Sequence, residues 1–224
     1  MTKYTVTFPG QGSQSIGMMD NIAHIPIIKK TFIEASEILG NDFWGMVTIE
    51  NNKINQTTNT QPLMLTAGVA TWRYLQENNL GSPSFIAGHS LGEFTALVAA
   101  KSLSFESALN IVKKRAELMQ NAVPKNEGAM AAIIGLDDAK VLEICNRKKE
   151  NGVLEAVNFN SPGQVVIAGS RIILEKSLQS FKDEGAKRAI LLPVSVPSHC
   201  KLMEPASILF SDYLKRIDFD APEF

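Results

Sequence analysis

Ile86-Ala87-Gly88-His89-Ser90-Leu91-Gly92-Glu93 is the stretch on which the fold turns. Upstream, Ser84-Phe85-Ile86-Ala87 is a short apolar run bounded by Gly81 and Pro83, which predicts a strand. Downstream, residues 93–100 are apolar and rich in helix formers, so Gly88-x-Ser90-x-Gly92 falls on a strand-to-helix junction. A strand can reverse into a helix within a few residues only if the neighbours of the apex lack side chains. The apex residue then sits in a strained backbone with its side chain exposed. Ser90 is that residue, and the pattern is a nucleophile elbow. A glycine-rich turn with an idle serine is the plainer alternative, and the flanking strand and helix weigh against it.

Working outward, 224 residues with 45% hydrophobic and 20% charged content can bury a sizeable core, as one large domain or one carrying a smaller insert. A formal net charge of −1 supplies no reason to expect nucleic acid or an anionic membrane surface as partner. The small basic clusters Arg147-Lys148-Lys149, Lys187-Arg188 and Lys215-Arg216 read as solvated faces or as local contacts to an acidic partner. Two cysteines, Cys145 and Cys200, make no disulfide framework, and no apolar stretch is long enough to span a bilayer. The N-terminus alternates polar and apolar residues where a signal peptide would carry an apolar core, so the expected compartment is the reducing cytoplasm.

From the start, residues 4–8 read as a strand running into Pro9-Gly10-Gln11-Gly12-Ser13-Gln14. A glycine-rich loop leaving a strand offers backbone N–H groups to an anion or oxyanion, or is merely a connection. Pro26 and Gly40 bracket a helix with Ile28, Phe32, Ala35 and Leu39 on one face. Residues 41–59, rich in Asn and Thr, read as a surface excursion, after which Thr60 caps a helix over 61–78. Ser104 caps another, with Ala108, Ile111, Val112, Leu118 and Met119 on its apolar side. Arg115 lies in the middle of that side. A buried guanidinium needs a partner, because an uncompensated charge costs about 3–5 kcal/mol. Helix pattern alone leaves two readings open, a structural ion pair with an acidic core residue or a clamp for a substrate carboxylate.

Residues 128–195 have a pattern of their own: strand 129–135, helix 137–150, strand 153–160, a tight turn at Ser161-Pro162-Gly163-Gln164, strand 165–170, helix 171–184 and strand 186–194. The order β-α-β-β-α-β predicts a ferredoxin-like lobe of four antiparallel strands with both helices on one face, inserted in a larger lobe over 1–127 and 196–224. The chain leaves it through Pro193-Val194-Ser195-Val196-Pro197-Ser198-His199-Cys200, whose prolines stiffen the approach to His199. Of the three histidines, His24 lies in a polar lead-in to a helix, and His89 should point to a different side from its neighbour Ser90. His199 remains as candidate general base, against the plainer reading of a histidine satisfied in a loop. Cys200 beside it is expected to be packed and unreactive.

Together, Phe8-Pro9-Gly10-Gln11-Gly12-Ser13-Gln14, Gly88-His89-Ser90-Leu91-Gly92-Glu93, the stretch around Arg115, Asn158-Phe159-Asn160-Ser161-Pro162-Gly163-Gln164 and Val196-Pro197-Ser198-His199 resemble the malonyl-CoA:acyl carrier protein transacylases of type II fatty acid synthesis. The resemblance covers the chain from its first strand to its last residue. It implies an α/β, hydrolase-like parallel-sheet lobe with a ferredoxin-like insert. It further implies Ser90 as the residue acylated, His199 as its base, and the backbone N–H groups of Gln11 and Leu91 as oxyanion donors. Arg115 becomes the partner of the malonyl carboxylate; Asn158 and Asn160, in the matching turn, are candidate contacts for the pantetheine arm, a role that the sequence leaves open. Leu91 matches the malonyl-selective members, whereas relatives selecting branched acyl groups often carry glutamine there. The substrates implied are malonyl-CoA and holo acyl carrier protein, with no metal and no cofactor beyond the coenzyme A thioester itself.

The family's polypeptide would continue past Asp218-Phe219-Asp220-Ala221-Pro222-Glu223-Phe224 into a further strand and helices and supply the carbonyl that orients His199. The expectation is therefore a C-terminally truncated chain, weak or inactive alone, completed by the missing segment or a second copy. Two other classes share these residues. A serine hydrolase such as a thioesterase has Ser90 and His199 but no use for a buried arginine near the serine. A non-catalytic module binding acyl carrier protein has no need of an intact Ser90 and His199.

Overall fold

A computed structural model describes residues 3–79, 81–194 and 196–223. The sequence boundary set at residue 195 falls on a position outside that set. By internal contacts the chain forms two compact units, Met1–Ala116 with Tyr213–Phe224, and Glu117–Asp212 between them in sequence.

The first unit is built on two parallel strands, β1 (Thr5–Phe8) and β2 (Phe85–Gly88), paired Val6 to Ile86 and Phe8 to Gly88. Helix α1 (Pro26–Leu39) starts on its proline and stops at Gly40, whose φ of 71° is left-handed and whose N–H returns to the Ser36 carbonyl. Its expected face, Ile28, Phe32, Ala35 and Leu39, is buried. Residues 41–59 are more than a surface excursion. Asp42 caps a short α2 (Phe43–Thr48) by accepting from the Gly45 N–H at 2.8 Å, and Phe43, Met46, Val47 and Ile54 join the core. The polar composition masked this because the buried positions are spaced singly among asparagines and threonines.

Helix α3 runs Thr57–Glu77, starting three residues before the cap expected at Thr60 and continuing through Pro62. Thr60 is buried inside it, its hydroxyl turned to the Ile54 and Gln56 carbonyls, so a side chain that suits a cap here fastens the preceding loop instead. Beyond the elbow come α4 (Gly92–Ala99) and α5 (Phe105–Asn121). Ser104 caps α5 as expected, accepting from the Ser107 N–H at 3.0 Å. Trp72 meets Phe8 edge-on, and Arg73 ties α3 to α1 through Glu34 while lying over the Phe105 ring.

The second unit holds β3 (Gly128–Ile134), α6 (Asp138–Lys148), β4 (Leu154–Ser161), β5 (Gln164–Ser170), α7 (Arg171–Asp183), β6 (Arg188–Leu191) and most of α8 (Glu204–Leu214). The sheet order β4-β5-β3-β6 is antiparallel at every pairing, the ferredoxin-like arrangement. Alternation along β3 explains both faces. Ala129, Ala131 and Ile133 pack with Val141, Ile144, Leu174 and Phe181 of the two helices, while Met130 turns to the other face with Val166, Ala168 and Cys200. Arg147 and Lys140 of α6 both reach Glu184 after α7. The unit extends past the β-α-β-β-α-β run because Met119, Val196, Met203 and Ala206 form a further buried cluster.

Candidate active site

At the elbow the backbone leaves β2 at Gly88 and enters α4 at Gly92. A methyl on Gly88 would lie 2.0 Å from the Gly92 carbonyl carbon, and one on Gly92 would lie 2.2 Å from the Phe8 carbonyl oxygen. No side chain fits either position, which is why both are glycine. Ser90 at the apex has φ 51°, a left-handed backbone rare for a residue with a Cβ. It is held there by the Gly92 N–H to His89 carbonyl bond at 2.9 Å and the Glu93 N–H to Ser90 carbonyl bond at 3.2 Å.

A methyl on Gly10 would lie 2.8 Å from His89 Nδ1, so the imidazole rests on the glycine-rich loop. Leu91 is buried and stands immediately before α4 with a right-handed backbone, φ −55° and ψ −37°, which places its N–H at the N-terminal end of that helix. Gln11 stands in the loop after β1 with its side-chain Nε2 donating to Thr57 Oγ1 at 3.1 Å. The same loop is fastened by Gln14, which accepts from the Gly12 N–H and donates to Asn55. Residues 53–57, expected to be mere surface, hold this loop in place.

Arg115 projects from α5 to the elbow, donating from Nη1 to Gln61 Oε1 at 2.8 Å and from Nη2 to Ser90 Oγ at 3.1 Å. Its guanidinium lies 6.0 Å from the centre of the Phe94 ring. Burial pushes its pKa down, while the field of Glu93 opposes that shift. Among the described residues it makes no ion pair, so the cation is held by two neutral oxygens and a ring.

His199 lies in the second unit, after β6, at φ 67°, the second candidate with a left-handed backbone. Its neighbours are pinned: Pro197 packs on Gly128, the Ser198 N–H donates to Met130 Sδ, and the Lys201 N–H donates to Glu155. Cys200 is buried and its thiol is pushed up to about 11 by desolvation, in keeping with the packed role expected of it. Asn158 and Asn160 lie on β4, where two irregularities in the pairing with β5 break the ladder. Among the described residues no cluster of His, Cys, Asp and Glu could hold a metal ion, and no helix is long and apolar enough to cross a membrane.

Sequence reading missed Gln61 and Thr57. Their signal was present: two polar residues one helical turn apart, the second followed directly by Pro62, in a helix that goes on into the apolar Leu63-Met64-Leu65.

An elbow serine on an α/β lobe and an inserted ferredoxin-like unit define an acyltransferase architecture. The acyl transferase domain family matches residues 5–223. The chain is 49% identical to a malonyl CoA-acyl carrier protein transacylase of Salmonella typhimurium, over 99% of this chain and 72% of that protein. It superimposes with a TM-score of 0.94 and 48% identity on an acyl-carrier-protein S-malonyltransferase of Burkholderia pseudomallei, covering 100% of this chain and 73% of that one. A type II PKS acyl-carrier protein in complex with its malonyl-transacylase matches with a TM-score of 0.96 at 46% identity, again over 100% and 73%. The chain belongs to the acyl transferase family and, within it, to the malonyl CoA-acyl carrier protein transacylases.

Proposed function

We propose that this acyltransferase moves a malonyl group from malonyl-CoA to the phosphopantetheine thiol of holo acyl carrier protein in fatty acid biosynthesis, through a malonyl ester on Ser90. The observation that carries the reading is the Arg115 guanidinium 3.1 Å from Ser90 Oγ. A cation set beside a nucleophile suits an acyl group that ends in a carboxylate. A thioesterase for neutral acyl chains would gain nothing from it, and the names of the relatives support the same substrate.

In the first half-reaction Ser90 Oγ attacks the thioester carbonyl as His199 takes its proton. The oxyanion is met by the backbone N–H groups of Leu91 and Gln11, one such donor being worth about 3–4 kcal/mol. The C–S bond then breaks, and coenzyme A leaves with the proton that His199 returns. In the second half-reaction the carrier's thiol attacks the malonyl ester, giving its proton to His199, and Ser90 leaves as the hydroxyl. Asn158 and Asn160 contact the pantetheine arm. Atoms and protons balance with no redox change, so no cofactor or metal is called for. Two free, buried thiols suit a reducing compartment, and we assign the reaction to the cytoplasm.

Incubation with malonyl-CoA followed by intact-mass and peptide mass spectrometry tests this. One added malonyl group on Ser90 is expected, and holo acyl carrier protein should discharge it. Loss of the malonyl group to water, with none reaching the carrier, would mean a hydrolase.

A further inference from the structure

Gln61 is wholly buried on α3, and its Oε1 accepts from Arg115 Nη1 at 2.8 Å. One turn earlier Thr57, equally buried, accepts from the Gln11 side chain at 3.1 Å. One face of α3 therefore holds both the arginine beside the nucleophile and the loop that carries Gln11. Pro62 follows directly and stiffens the backbone at that point.

The two anchors differ in what they leave behind. A carboxylate at position 61 would hold Arg115 as firmly as an amide does, but it would neutralise the guanidinium. An amide oxygen accepts the same hydrogen bond and leaves the whole positive charge in place. Arg115 accordingly pays the cost of burial, which lowers its pKa, with only the field of the exposed Glu93 to offset it. A desolvated cation held by neutral groups is poised to gain from an incoming anion.

Building on the malonyl reading, we propose that Gln61 is a selectivity-determining positioning residue. It fixes the Arg115 guanidinium through an uncharged acceptor, so that the charge is spent on the carboxylate of the acyl group and neutral acyl groups gain nothing from it. Thr57 has the complementary role of orienting the Gln11 loop, which serves every acyl group alike.

The test compares Ser90 acylation by malonyl-CoA and acetyl-CoA in the 224-residue protein and three variants, with thermal melting as the check of folding. Gln61→Glu should lower malonyl loading on the order of 100-fold, mainly through KM, because the new carboxylate occupies Arg115 and repels the substrate's, while acetyl loading holds or rises. Gln61→Met keeps the volume but removes the acceptor. It should lower malonyl loading by roughly tenfold, less than Glu does, since the charge survives and only its aim is lost. Thr57→Val should reduce both acyl groups in the same proportion. Equal effects of Glu and Met, or an unchanged malonyl-to-acetyl ratio in both, would overturn the proposal. If Gln61→Glu does not fold, the ratio in Gln61→Met decides alone, and an equal loss for both acyl groups counts against it. A protein that takes no malonyl on Ser90 even when completed by the C-terminal segment of a relative would instead sink the functional reading on which this rests.

Discussion

Arg115 and Ser90 share a hydrogen bond: the guanidinium Nη2 donates to the hydroxyl Oγ at 3.1 Å, from a helix that begins fifteen positions after the elbow serine. The group proposed to receive a carboxylate is thus already in contact with the hydroxyl proposed as nucleophile.

Arg115→Ala should separate acyl groups by charge. Malonyl loading should lose about 2–5 kcal/mol of transition-state stabilisation, while acetyl loading is kept or increased. Parallel rate measurements with the two thioesters check it, and equal losses would return Arg115 to a purely structural role.

Ser90→Ala should abolish the covalent malonyl adduct and change stability by less than about 1 kcal/mol, since only a hydroxyl is lost and the left-handed backbone strain is common to both residues. His199→Ala should slow adduct formation by about 10²–10⁴-fold, the usual worth of a general base. Adduct mass against time, with a melting curve for each variant, reads both. An undiminished adduct on the alanine variant would show that another residue is acylated.

Gly88→Ala should be far worse for folding than Gly12→Ala. The first forces a methyl to within 2.0 Å of the Gly92 backbone, which nothing can relieve without dismantling the elbow, and more than about 4 kcal/mol is expected. At Gly12 a methyl meets open space and only the φ of 109° is unfavourable, about 1–3 kcal/mol. Soluble yield and melting temperature should rank the two variants in that order.

Both cysteines should resist alkylation in the native protein at pH 8 and react once it is unfolded. Burial pushes Cys145 up to about 12 and Cys200 up to about 11, from a usual value of 9.0, so the reactive thiolate is scarce. The folded form holds these protons more tightly than the unfolded one, so their contribution to stability is complete below pH 9 and is lost as pH rises through 11 to 12. Rapid labelling of Cys200 in the native state would show that its loop opens.

The elbow, the ferredoxin-like strand order, the bracketed α1 and the cap at Ser104 were all legible in the residues. Each depends on local chemistry: glycine where no Cβ fits, alternation where one face is buried, a hydroxyl before a helix. Residues 41–59 misled because burial there is imposed from a distance. Asp42, Asn51 and Thr60 satisfy backbone groups within a polar segment whose scattered apolar residues find the core only when α1 and α3 pack.

Sequence by itself determined that Ser90 would stand at a strained apex, because Gly88 and Gly92 admit no other path, and that Arg115 would lie on the buried side of its helix. It could not determine what Arg115 meets there. Gln61 is 54 positions away and Ser90 is 25, and neither spacing carries a period that points to the other. Only tertiary packing brings α3, α5 and the elbow together, because hydrophobic burial selects which faces meet without regard to separation in the chain. That packing chose two neutral oxygens over a carboxylate as the arginine's company.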